Sequence, residues 1–172
     1  MPKSQIYIGI DPGFTGGIGI IENDKLIQVY DCPLTIINKG KTKIVNFKRV
    51  PETERRVDGK GIYEILKPYK NAKLVIEHSQ AMPDQGEVSI AHYMEGYGRY
   101  LGVLDCLGIN FVEVRSSVWK RKMNLSSDKW ESIHLIQEKL EGVKEYVHLR
   151  KHDGRAEALL LAIYGRDYLK WA

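Results

Sequence analysis

Thiols are nearly missing from this chain. Cys32 and Cys106 are its two cysteines among 172 residues, and they share neither a pairing pattern nor a ligand-like spacing. A disulfide framework or a zinc site needs more numerous or closer thiols, so two reduced core thiols in a cytoplasmic setting are expected. Also missing is any run of about 18 apolar residues, and the N-terminus lacks the plan of a secretory leader. The expectation is therefore no membrane partner. Nor does charge of one sign dominate: 26 Lys and Arg face 22 Asp and Glu, for a formal net charge of +4. An excess that small makes the placement of charge more informative than its total. Hydrophobic residues at 43% and charged residues at 28% are ordinary for a globular protein. The length suits one domain, residues 1–172, with a real core and no room for two large lobes.

The pattern along the chain opens with short apolar, β-branched segments. Gln5 to Asp11 runs into a Pro-Gly turn at Pro12 and Gly13, and Ile18 to Ile21 is separated from Leu26 to Tyr30 by the turn dipeptide Asn23-Asp24. Three tightly joined strands of this kind read as an antiparallel meander. A basic excursion follows at about 38–60, holding Lys39, Lys41, Lys43, Lys48, Arg49, Arg55, Arg56 and Lys60 against Glu52, Glu54 and Asp58. Pro51 interrupts it, and its centre, KIVNFKRV, reads as a short strand or an ordered loop.

Beyond the excursion, Ile62 to Tyr69 predicts a helix and Lys73 to Glu77 a buried strand. A long helix is expected from about Gln85 to Leu107, on the helical spacing of Ile90, Met94, Tyr97, Leu101 and Leu104. Gly96, Gly98 and Gly102 inside it each cost about 1 kcal/mol relative to Ala, which implies that the backbone meets something closely there. Ile109 to Val114 is a further strand. Asp128 and Glu131 stand in capping-box spacing at the start of a helix to about Leu140, and a last helix runs from about Asp153 to Leu169. The economical fold is α/β, a five-stranded mixed sheet with helices on both faces.

Acidic residues that break the local pattern locate the chemistry. Asp11 ends an apolar strand and meets a Gly-rich turn, and Glu77 ends the strand KLVIE in the same way. An acid at the end of a buried strand is unfavourable unless something positive compensates it. Asp153 and Glu157, four apart at a helix start, share one helical face. Carboxylates converging from two strands and a helix would repel one another, and hard divalent cations with oxygen ligands relieve that repulsion. Two such ions about 4 Å apart can activate water and stabilise the leaving oxygen of a phosphodiester. Each acid taken alone has a blander reading as a helix cap or a solvated strand end.

Taken together, the segments resemble the RuvC-like Holliday junction resolvases, particularly their bacteriophage versions. IGIDPGFTGGIGII looks like the family's first two strands. VIEHSQAM at 75–82 is similar to its second acidic strand, VRSSVWKRKMNL at 114–125 to the segment before its last helices, and HDGRAEALLLAIYG at 152–165 to its terminal acidic helix. The matches span nearly the whole chain in the family's order. The resemblance implies an RNase H-like fold and a structure-selective endodeoxyribonuclease. It also implies a homodimer making paired nicks in a four-way junction, with two Mg2+ ions as cofactors and Mn2+ as a substitute. Position by position it makes Asp11, Glu77, Asp153 and Glu157 the catalytic, metal-binding acids. Cellular members carry two acids three apart on the last helix, whereas here they are four apart. If Glu157 fills the second place, Gly154 holds the first, so the roles of Asp153 and Glu157 stay open and His152 is a lesser candidate.

Positive charge flanks these acids. Arg115, Lys120, Arg121 and Lys122 lie in a stretch without an acid, and they join Lys48, Arg49, Arg55, Arg56 and Arg155 as expected DNA contacts. Phosphate contacts of this sort give salt-dependent affinity with little sequence information. Tyr93, Tyr97 and Tyr100 share a helical stripe, better read as packing than as base stacking, and the three tryptophans are read as packing residues. His78 follows Glu77, so strand alternation turns it away from the acids. Three rival functions remain. One is a nuclease of the same fold acting on RNA–DNA hybrid, flap or fork DNA. Another is a sugar kinase or actin-like ATP-binding domain, disfavoured because no second lobe is present to close over nucleotide. The third is an inactive DNA-binding relative.

Overall fold

Strand alternation builds two opposite faces from the first residues onward. The computed structural model describes residues 4–78 and 86–171. Strands β1 (Ile6–Asp11), β2 (Gly17–Glu22) and β3 (Lys25–Asp31) form the expected meander, and β6 (Lys73–Glu77) and β7 (Phe111–Val114) extend it. The sheet order is β3-β2-β1-β6-β7, with β1–β6 and β6–β7 parallel and the meander antiparallel. This is the five-stranded mixed sheet predicted from the sequence.

Ile8, Ile10, Ile18, Ile20, Leu74 and Ile76 point to one face and bury against helices α1 (Gly59–Leu66) and α2 (Glu87–Leu107), through Ile62, Leu66, Tyr97, Tyr100 and Leu104. The opposite face, with Tyr7, Ile21 and Val75, meets helices α3 (Ser116–Lys122), α4 (Lys129–Lys139) and α5 (Asp153–Tyr168). Helices therefore cover both faces, as expected. The start of the long helix near Gln85 and the segment Ser79 to Met82 lie outside the described residues. Among those residues no helix is long and apolar enough to cross a membrane.

Glycine decides how closely α5 approaches the sheet. A Cβ at Gly9 would stand 2.0 Å from the Ala158 carbonyl oxygen, and one at Gly19 would stand 2.7 Å from the Leu159 nitrogen. From the helix side, a Cβ at Gly154 would sit 2.1 Å from the Thr15 carbonyl oxygen. Backbone thus lies directly on backbone, and the first turns of α5 sit against the ends of β1 and β2.

Three expectations are corrected. Of the three α2 glycines, only Gly96 meets a neighbour, the Val57 side chain at 2.8 Å. Among the described residues nothing lies within 4 Å of a Cβ built on Gly98 or Gly102, and both are exposed. The basic excursion is neither one strand nor a loop but a long antiparallel hairpin, β4 (Leu34–Val45) and β5 (Lys48–Val57), apart from the main sheet. At α4, Asp128 caps as expected by accepting from Trp130 N–H at 3.0 Å. Glu131 instead accepts from the Ser126 N–H at 2.6 Å, so the capping box is not closed.

Candidate active site

Because β1 and β6 are parallel neighbours with Ile10 opposite Ile76, the next residues, Asp11 and Glu77, end side by side. Alternation turns both toward α5: Gly9 lies under that helix, and Val75 packs in the cluster that includes Leu159 to Ile163. The close seat of α5 then brings Glu157, one turn into that helix, toward the same point. Asp11 accepts a hydrogen bond from the Gly13 N–H at 3.2 Å, so the Pro-Gly turn orients its carboxylate.

The electrostatics report the convergence. Burial, then the negative charges of Glu77 and Glu157, push the Asp11 carboxyl up to about 7, against opposing pulls from Gly13 N–H and Lys120. Glu77 is likewise raised, chiefly by burial and then by Glu157; the Trp119 indole N–H and Lys120 hold it back. Lys120 answers the negative charge directly: its Nζ lies 2.7 Å from Glu157 Oε1. Ser132 Oγ is 3.4 Å from the same oxygen.

The acids and bases singled out in the sequence divide into groups. Asp11, Glu77, Glu157 and Lys120 act on one another. Asp153 is ion-paired to Lys129 at the head of α5, and it is not among the charges that move Glu77. His152 is buried, and its Nδ1 accepts from the backbone N–H groups of His148 and Leu149, both at 3.3 Å, which fastens the turn before α5. Arg155 binds Asp31 through Nε and Nη2, each at 2.6 Å, and donates to the Tyr146 carbonyl. Arg56 pairs with Glu54 at 2.7 Å. Arg115, Arg121 and Lys122 are exposed on α3 and its N-cap, and Lys122 lies over the Tyr168 ring. Lys48, Arg49 and Arg55 lie on the hairpin. His78 turns away and meets Glu113 at 2.9 Å.

Trp119 packs in the core, as expected, and also touches the candidate site, which the sequence did not indicate. Its ring is fully buried, and its indole N–H donates to Glu77 Oε2 at 2.7 Å. No periodicity marks this role. The one sequence signal is its place beside Lys120, a cation that faces the acids.

No protein-family model matches the sequence, and no curated protein is significantly similar to it. Solved structures are similar. The RuvC of T. thermophilus in complex with a Holliday junction substrate superposes with a TM-score of 0.56 at 17% identity, covering 94% of this chain and 96% of that one. A second Thermus thermophilus RuvC structure gives 0.54 at 19% identity with the same coverage. The fold is that of RuvC. The RuvC fold accounts for the mixed sheet and its helices. It fits the resemblance read from the sequence segments.

Proposed function

We propose that this protein is a divalent-metal-dependent endonuclease that resolves four-way DNA junctions, working as a homodimer that nicks opposite strands. The observation that carries the reading is the gathering of Asp11, Glu77 and Glu157 at the strand ends of a RuvC fold, tightly enough that the charges of Glu77 and Glu157 help to raise the Asp11 carboxyl.

The donor set fits the metal. Three carboxylates, half to largely buried and mutually repelling, offer the hard oxygens that Mg2+ or Mn2+ prefers, and Lys120 answers the same need for positive charge. Among the described residues no three such side chains stand ready to clasp one ion. Glu157, which Lys120 holds in an ion pair, would have to leave Lys120 to join Asp11 and Glu77 in holding an ion. When bound, the ions would supply Lewis acidity and a lowered pKa for attacking water.

The protein's own groups do the rest. Asp11 and Glu77 hold from the sheet and Glu157 from α5, with Asp153 at the helix head as a further carboxylate. Trp119 keeps Glu77 in place. Lys120, once free of Glu157, would be available to pair with a phosphate. The cations of α3 and of the β4–β5 hairpin offer contacts to the phosphate backbone. The similar RuvC with a Holliday junction supports the choice of substrate by analogy.

The test uses labelled four-way junction, linear duplex and RNA–DNA hybrid, with and without Mg2+. Paired nicks in the junction alone, dependent on metal, are expected. Asp11→Asn is expected to lower cleavage more than 100-fold and leave junction affinity within about threefold, since the amide keeps the shape but not the charge. Preferred cutting of the hybrid would overturn the substrate. A folded D11N protein that has lost binding as well as cutting would overturn the site. Sedimentation as a monomer on and off the junction would overturn the paired mechanism.

A further inference from the structure

The hairpin β4–β5 ends in a feature that folding does not explain. Val45 and Lys48 are its last pair, leaving Asn46 and Phe47 as a two-residue loop with φ of 49° and 61°. Such loops favour Asn-Gly, because both positions need the left-handed region that side chains disfavour. Asn46 suits its place and Phe47 does not. Phe47 as a residue is 104% exposed and so gains nothing from packing. A strained, fully solvated aromatic at the apex of an arm points to a role outside the chain.

The arm's surroundings identify the partner's chemistry. Residues 39–49 carry Lys39, Lys41, Lys43, Lys48 and Arg49 and no acid. Lys39 is engaged by Glu52 and Glu54 near the base of the distal half; the other cations are exposed around the tip. Register places Lys43 and Lys48 on one face of the ribbon and Arg49 on the other, so the shaft is cationic on both sides. A polyanion suits this surface, and an apolar wedge on a basic ribbon suits a stacked polyanion.

The root lies where a nuclease needs it. Asp11 pairs with Gly17 and Gly17 with Asp31, so the hairpin leaves the sheet in the same row as the acidic site. It is clamped there: Asp58 N–H donates to the Pro33 carbonyl at 2.8 Å, and Arg99 Nη1 donates to the Val57 carbonyl at 2.8 Å. From this fixed root, strands of this length reach roughly 35 Å, about one turn of B-DNA.

We propose that the β4–β5 hairpin is a DNA-inserting arm whose cationic shaft follows the phosphates and whose Phe47 stacks on a base exposed at a branch point. The branch point rests on the junction reading above; the arm's contact with DNA is read independently of cutting. The full-length protein, without divalent metal, is bound to a four-way junction carrying 5-iododeoxyuridine at the crossover and irradiated. This halogenated base crosslinks to an aromatic ring stacked on it.

The crosslink is expected at Phe47, kept in Phe47→Trp and lost in Phe47→Gly. Junction affinity of F47G is expected to fall about tenfold, within the range for removal of one stacked base. Its affinity for linear duplex, which exposes no base, should fall less than twofold. Replacing Lys41, Lys43 and Lys48 by Gln should flatten the salt dependence of binding by about one unit of slope for each phosphate no longer neutralised. Crosslinking elsewhere with unchanged F47G affinity overturns the arm, as does a wild-type protein that binds no DNA. An F47G protein that loses its dimer but not its junction affinity also overturns it, by making the tip a protein contact. Crosslinking at Phe47 without metal-dependent cutting would leave the arm standing and sink the nuclease. Cutting with the crosslink elsewhere would do the reverse.

Discussion

Trp119 reaches Glu77 across 42 residues of sequence, and its indole N–H lowers that carboxylate's pKa by hydrogen bonding. Removing it leaves a buried carboxylate short of a partner. Trp119→Phe keeps most of the packing volume, so the protein is expected to stay folded with a loss of about 1–2 kcal/mol. Cleavage should fall roughly 10–100-fold, the range for groups that orient a metal ligand. The acidic limb of the rate–pH profile should move to higher pH, because the indole hydrogen bond had been lowering the Glu77 pKa. A rate loss equal at every pH would reduce Trp119 to a packing residue. Asp11, Glu77 and Glu157 were legible in the sequence because an acid at a strand end or a shared helical face breaks a local pattern. Trp119 was not, since its role depends on where α3 falls against β6. The same limit applies to Asp153 and Glu157. Spacing left their roles open, and the packing of Gly154 on Thr15 and Gly16 sets the rotation that sends Glu157 inward.

At the scale of elements, periodicity read the main sheet and most helices well, because each buries one face. It failed at the hairpin. There most side chains are exposed, so alternation of polarity disappears under the lysines and arginines, and Asn46-Phe47 is not a usual turn dipeptide. Glycines misled within α2 for a related reason: a sequence cannot tell a glycine that meets a neighbour from one that meets nothing. The structure separates them, and mutation tests the separation. Gly98→Ala and Gly102→Ala, whose new methyl groups meet no neighbour among the described residues, are expected to stabilise the monomeric fold by about 1 kcal/mol each through helix propensity. For a chain of 172 residues that is a rise of roughly 2–4 °C in Tm. Gly9→Ala, by contrast, drives a methyl into the α5 backbone and should cost about 3 kcal/mol or more. Thermal unfolding of the three variants side by side would decide it. A Gly98→Ala protein that unfolds earlier than wild type would show that another surface, such as a second copy, packs on that face.

The whole molecule carries the consequence of holding acids together. Asp11 titrates at about 7 in the folded chain against 3.8 in its ordinary state, raised first by burial and then by Glu77 and Glu157. A carboxyl raised on folding adds stability below its unfolded value, where it is protonated in both states. That contribution is lost as pH climbs from about 4 to about 7, because the unfolded chain gives up its proton more readily. The shift corresponds to at most about 4 kcal/mol at pH 8. Asp31 and Glu113, lowered by Arg155 and by Tyr97 respectively, work in the opposite direction, and their stabilisation is lost at lower pH. The useful quantity is therefore the difference between wild type and Asp11→Asn. Without divalent metal, D11N is expected to be the more stable protein at pH 8, with the gap closing toward pH 4. Mg2+ at 100 times its dissociation constant should return about 2.7 kcal/mol to the wild type at pH 8 and far less to the variant. Calorimetric scans at pH 4, 6 and 8, with and without Mg2+, measure both effects. An Asp11→Asn protein that melts at or below the wild type at pH 8 would mean that the carboxylates do not strain the fold, and with that the physical case for a cation among them would fall.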